Sequence, residues 1–128
     1  MITILLISES NDSLSGLASG LRHYNELEVV RAESCQKAFD MISGKTFDLA
    51  VVDENITGMT GLEFAKKLVS VDPITNCAVV SPLSSKDFHE ASEGLGVLMQ
   101  LPIRPDEKQA EALLKRLKEV LNLRPKQE

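Results

Sequence analysis

Short apolar runs alternating with helical patterns constrain this chain more than any other feature. Residues 2–8 are apolar almost throughout, as are Leu49–Val52 and the stretch from Cys77 to Val80. Runs of this length, rich in β-branched residues, suit strands. Their lack of polar alternation means burial on both faces, the condition of a parallel sheet. With Leu27–Ala32 and Val97–Leu101, and with Asp53 and Ser81 closing the third and fourth runs, the set is five strands.

Between the strands the spacing predicts five helices. The first runs from about Asp12 to Tyr24 and carries Leu14, Leu17, Ala18 and Leu21 after a polar cluster rich in N-cap residues. The second follows Ser34 and stops at Gly44. A third covers about Gly61–Ser70, and a short polar fourth covers about Ser84–Ser92. The last has Pro105 in its first turn and an apolar stripe through Ala110, Leu113, Leu114, Leu117, Val120 and Leu121.

This alternation predicts an α/β fold, a doubly wound parallel sheet with strand order 2-1-3-4-5. In that order ligands bind beyond the C-terminal ends of strands one and three, where the winding reverses. Those ends are Ser8-Glu9 and Asp53, so two carboxylates converge on the expected site.

At 128 residues and 43% hydrophobic content the chain suits one cored domain, over residues 1–123, with 124–128 as a polar tail or the start of a linker. A net charge of −5 offers no basic surplus for phosphates, which argues against nucleic-acid binding. The apolar N-terminus is too short to span a membrane, so no membrane partner is expected. Cys35 and Cys77 have no metal spacing and read as buried thiols of a reducing cytoplasm. No Gly-rich phosphate loop follows the first strand, which argues against a flavin or nucleotide enzyme.

Two acids facing each other at a switch point repel, and Mg²⁺ is the natural cation to join them through oxygen ligands. Beside it Asp53 could attack a phosphoryl group as a nucleophile, with the Ser81 hydroxyl donating to the transferred group. The plainer alternative is that Glu9 and Asp53 are solvated loop acids at strand ends.

Several residues carry a family resemblance: Phe47-Asp48 leading into Val52-Asp53, then Met59-Thr60-Gly61-Leu62-Glu63, Leu5-Leu6-Ile7 followed by an acid, and Leu101-Pro102. With these the chain resembles the receiver domain of two-component response regulators over essentially its whole length. The resemblance implies a flavodoxin-like (βα)5 fold and a non-enzymatic role in phosphorelay signalling. It implies phosphorylation at Asp53 and Mg²⁺ held by Glu9, Asp53 and the Asn55 backbone carbonyl. The implied partners are a sensor histidine kinase or phosphotransfer protein and a downstream output domain or partner protein. A cis bond before Pro102 is also implied.

The chain departs from the family pattern at its most chemical positions. Ser8 stands where a second acid is usual, and Leu101 where a lysine pairs with the phosphoryl group. Ser81 replaces a threonine, and Pro82 offers no backbone N–H. Leu98 takes the place of a switch aromatic, while Thr57 and Thr60 replace a common Pro and Asp. Losing one acid and one cation together leaves the formal charge of the pocket unchanged. Weak Mg²⁺ binding is therefore expected. So is an alternative function, a pseudo-receiver that docks partners independently of phosphate.

Overall fold

The computed structural model of the chain describes residues 2–10 and 12–122; the tail at 124–128 lies outside the described residues. The elements in order are β1 (Ile2–Ile7), α1 (Ser15–Leu21), β2 (Leu27–Ala32), α2 (Cys35–Gly44), β3 (Leu49–Val52), β4 (Asn55–Ile56), β5 (Met59–Thr60), α3 (Gly61–Val71), β6 (Asn76–Val80), α4 (Ser85–Ser92), β7 (Val97–Leu101) and α5 (Glu107–Asn122). Five strands form one sheet in the order β2-β1-β3-β6-β7, paired in parallel throughout. That is the expected 2-1-3-4-5 winding with the added hairpin set aside.

Burial follows from the apolar runs. All four residues of β3 are buried, as are nearly all of β1 and β6, whereas the edge strands β2 and β7 are mostly half-buried. Alternate residues divide the core into two layers. Ile4, Leu6, Leu49, Val51 and Leu101 face α1 and α5; Leu5, Ile7, Ala50, Val52 and Val79 face α2, α3 and α4. At the other end of the sheet Asp48 Oδ2 accepts from Thr3 N at 2.9 Å, tying the start of β3 to β1.

Helix α1 is shorter than its apolar spacing suggests. It begins at Ser15 with Leu14 at the N-cap and no side-chain cap, because the Ser13 hydroxyl is drawn to Asp53 instead. Helix α3 has a complete capping box between Thr60 and Glu63, with Glu63 N donating to Thr60 Oγ1 at 3.1 Å and Thr60 N to Glu63 Oε1 at 3.2 Å. Pro105 lies before α5 rather than in its first turn. Asp106 caps the helix there, accepting from Lys108 N at 2.9 Å while its own N–H donates to the Gln109 side chain.

Two further expectations, a set of only five strands and a cis bond before Pro102, are corrected. The loop after Asp53 folds into the β4–β5 hairpin around Thr57-Gly58, with Gly58 at φ +85° and Ile56 buried. No cis peptide bond occurs among the described residues, so the bond before Pro102 is trans. Trans is the default for an X–Pro bond, and Pro102 is exposed.

Candidate functional site

The reversal of winding lies between β1 and β3, and Asp53 follows directly at the end of β3. Its N–H donates to Ile7 O at 3.0 Å, extending the ladder one residue past the strand. The carboxylate is thereby fixed beside Ser8, as the sequence predicts. Asp53 is half-buried, whereas Ser8 and Ser81 are 1% and 7% exposed.

Both Asp53 oxygens accept hydrogen bonds. Oδ1 takes Glu54 N at 2.9 Å, and Oδ2 takes the Ser13 hydroxyl at 2.6 Å, with Ser8 Oγ 3.4 Å away. The Ser13 distance is that of a charge-assisted O–H···O⁻ bond. A hydroxyl has one proton, so Ser13 spends its own on Asp53 and is left as an acceptor. Ser8 Oγ, 2.7 Å from both Ser13 Oγ and Ser10 O, then directs its proton to one of these. A carboxylate that would otherwise face a second acid is satisfied by the Ser13 hydroxyl, with neutral Ser8 beside it.

Glu9 is exposed and reaches across to the hairpin, where its Oε1 accepts from Thr57 N. The Thr57 hydroxyl first, and its backbone N–H with it, hold the Glu9 carboxyl below its ordinary value of 4.5. A depressed carboxylate stabilises the fold above its unfolded value, and the contribution disappears as pH falls through the folded one. A proline at position 57 would have no N–H to give. The change to Thr57 and the reach of Glu9 are therefore linked. Asn55 begins β4, one residue beyond Glu54, so its backbone carbonyl belongs to the same loop.

Ser81 follows β6. Its Oγ accepts from Leu83 N at 3.2 Å and donates to none of the described residues. Gln100 on β7 clamps the same segment, its Nε2 donating to Ser81 O at 3.1 Å and Leu83 O at 2.7 Å. Leu101 is fully buried among Leu14, Leu17 and Leu113 and brings no charge to the pocket. Among the described residues no three His, Cys, Asp or Glu side chains gather as a metal cluster.

Sequence reasoning missed Ser13, Gln100 and Arg31. Arg31 Nη2 donates to Ser8 O at 2.8 Å and Glu9 O at 3.3 Å, fixing the segment that carries both residues. The one sequence signal was its place on the strand: Leu27 and Val29 share a face with it, and Arg31 ends that apolar alternation. Burial pushes the Cys77 thiol up to about 12 and raises that of Cys35 as well, which keeps both protonated.

A five-stranded doubly wound sheet with one aspartate at the C-terminal end of its central strand defines a small α/β module of the receiver type. The chain belongs to the response regulator receiver domain family, whose model matches residues 4–104. Members of this family are signalling modules that interact with histidine kinases or phosphotransfer proteins and with output domains, and they typically bind Mg²⁺ at the phosphorylation site.

The fold is similar to that of the chemotaxis response regulator CheY4 of Vibrio cholerae, with a TM-score of 0.78 and 21% identity over 91% of this chain and 98% of that one. It is similar to a CheY-like receiver domain protein from Methanospirillum hungatei JF-1, at 0.80 and 20% over 95% and 98% of the two chains. A putative pilus assembly protein (cpaE) from Burkholderia thailandensis E264 matches at 0.75 and 24% over 93% and 99%. Among curated proteins, a UPF0210 protein of Ligilactobacillus salivarius (strain UCC118) is 31% identical over 93 residues, 73% of this chain. The chain spans 20% of that relative's length. Among the described residues no helix is long and apolar enough to cross a membrane.

Proposed function

We propose that this receiver is a cytoplasmic, non-enzymatic docking module in two-component signalling, and that it works without a phosphorylation step because hydroxyls of its own chain hold Asp53. The observation that carries the reading is the 2.6 Å bond from Ser13 to Asp53 Oδ2. A carboxylate attacks phosphorus through a lone pair, and a short charge-assisted bond both occupies and stabilises that oxygen. Charge arriving with a phosphoryl group also needs donors placed in advance. Buried Leu101 supplies no cation, and Pro82 supplies no N–H.

Partners would meet the face formed by α4, β7 and α5, beside which Leu83 and Ile103 are 40% and 43% exposed. They would be a histidine kinase or phosphotransfer protein on one side and an output domain or partner protein on the other.

Mg²⁺ fits the donors by type, since Glu9, Asp53 and the Asn55 carbonyl are hard oxygen ligands. It would neutralise the charge of an incoming phosphoryl group. Both carboxylates already accept hydrogen bonds, so a cation competes with Ser13 for Asp53 and with Thr57 N–H for Glu9. Binding is therefore weak. In an NMR titration the Glu9 and Asp53 signals are expected to drift without saturating through the low millimolar range, and saturation there contradicts the reading.

The second reading makes Asp53 the phosphoacceptor, with Ser81 donating to the phosphoryl group. One observation favours it: the Ser81 hydroxyl has no acceptor for its proton among the described residues.

A further inference from the structure

Helix α1 does not sit evenly over the sheet. Gly16 and Gly20 draw it against α5. A Cβ on Gly20 would lie 2.8 Å from Ala110 Cβ and 2.9 Å from Glu107 Cα; one on Gly16 would lie 3.0 Å from Pro105 O. The opposite flank of α1, towards β2, presents only short side chains, Ser15 and Ala18. A cavity of about 200 Å³ remains there, beside the C-terminal ends of β1 and β2. Its apolar part is Leu6 and Leu14.

Two arginines line this cavity, Arg22 just past the end of α1 and Arg31 at the edge of the sheet. Among the described residues the Arg22 side chain makes no hydrogen bond or ion pair. Arg31 uses Nη2 on the Ser8 and Glu9 carbonyls, and its Nη1 is 3.6 Å from the exposed Glu33 carboxylate, which Lys37 also engages. Ser10 Oγ accepts from Asp12 N and keeps its own proton to donate. No carboxylate is among the lining residues. The chain as a whole carries −5, so a local pair of cations without an acid between them needs its own explanation.

We infer that this cavity is a binding site for a small phosphate-bearing anion, held by Arg22 and Arg31 with the Ser10 hydroxyl, and adjoining the Asp53 pocket at Ser8. Guanidinium groups match phosphate oxygens in charge and fork geometry. The volume admits inorganic phosphate or the head of a small phosphomonoester and is below that of pockets for larger ligands. Arg31 also anchors the segment that carries Ser8, so an occupant shares this residue with the strand end beside Asp53. The site stands whether or not Asp53 accepts phosphate.

The test is an NMR titration of the whole chain at constant ionic strength, read at the arginine Nε–H signals and the backbone amides of residues 14–18. One arm uses inorganic phosphate and the other glycerol 3-phosphate; the tighter arm shows whether the free anion or an esterified one is the better occupant. Saturable shifts at Arg22 and Arg31 are expected, about tenfold weaker in affinity in Arg22→Gln and retained in Asp53→Asn. Arg22 is exposed, so this variant keeps the fold. Arg31→Lys, which retains the charge and loses the fork, is expected to weaken binding as well. Shifts that grow linearly in both arms, that are indifferent to Arg22→Gln, or that centre on Asp53 and Ser81 and vanish in Asp53→Asn would overturn the site.

Discussion

Leu101→Ala is expected to destabilise the domain by about 2–5 kcal/mol, the usual range for truncating a fully buried leucine. For a domain of this size that lowers the melting temperature by roughly 10–20 °C. Leu101 ends β7 with 0% exposure and packs in the layer shared with α1 and α5. Removing its side chain leaves a void where the apolar flanks of two helices meet the sheet. The position is the one that carries a lysine in the family pattern, so the size of the loss is informative. Differential scanning calorimetry on the native and substituted chains reads it directly. A loss below about 1 kcal/mol would place the side chain in the polar pocket instead of the core.

Gly61→Ala is expected to cost about 1–3 kcal/mol through overpacking, although alanine is the better helix former. A Cβ there would lie 2.8 Å from Asp53 O and 2.9 Å from Val79 Cγ1. The first neighbour is backbone at the end of a central strand and cannot move without moving Asp53. The Asp53 carboxylate would then shift relative to Ser13, so the Ser13 amide resonance should move along with the loss of stability. Gly44→Ala is the control. Nothing lies within 4 Å of a Cβ at the end of α2, and that change is expected to be neutral or stabilising by up to about 1 kcal/mol. Chemical denaturation of the two variants separates the effects, and equal outcomes would contradict the close approach at Gly61.

Sheet and winding were legible in the sequence because strands buried on both faces leave uninterrupted apolar runs. The order followed from the alternation with helices, and the position of Asp53 followed from where an apolar run stops at the winding reversal. What holds Asp53 was not legible. Ser13 is 40 residues away in the chain, and its place in a cluster of N-cap residues marked it as a helix start. The carboxylate outcompeted the helix for that hydroxyl, which also explains why α1 begins late. Thr57 and Glu9, 48 residues apart, meet only because Thr57-Gly58 turns a two-residue hairpin too short to register as strands. Pro105 was misplaced for a related reason: the bonds of Asp106 with Lys108 N and with the Gln109 side chain set the start of α5 at Glu107, two residues later than proline chemistry alone suggests.

The departures from the family pattern form pairs in space. Ser8, in place of an acid, stands 2.7 Å from the Ser13 hydroxyl that holds Asp53, and Thr57 supplies the N–H that the longer Glu9 reaches. Such compensation keeps the unphosphorylated fold well satisfied, and no buried side-chain nitrogen or oxygen among the described residues lacks a partner.

The most direct measurement is intact-protein mass spectrometry after incubation with acetyl phosphate and Mg²⁺, with Asp53→Asn and a readily phosphorylated receiver in the same buffer. The predicted result is no phosphoryl adduct on the native chain while the comparison receiver is labelled. An adduct on the native chain that is absent from Asp53→Asn would contradict a docking module without a phosphorylation step and make Asp53 the phosphoacceptor.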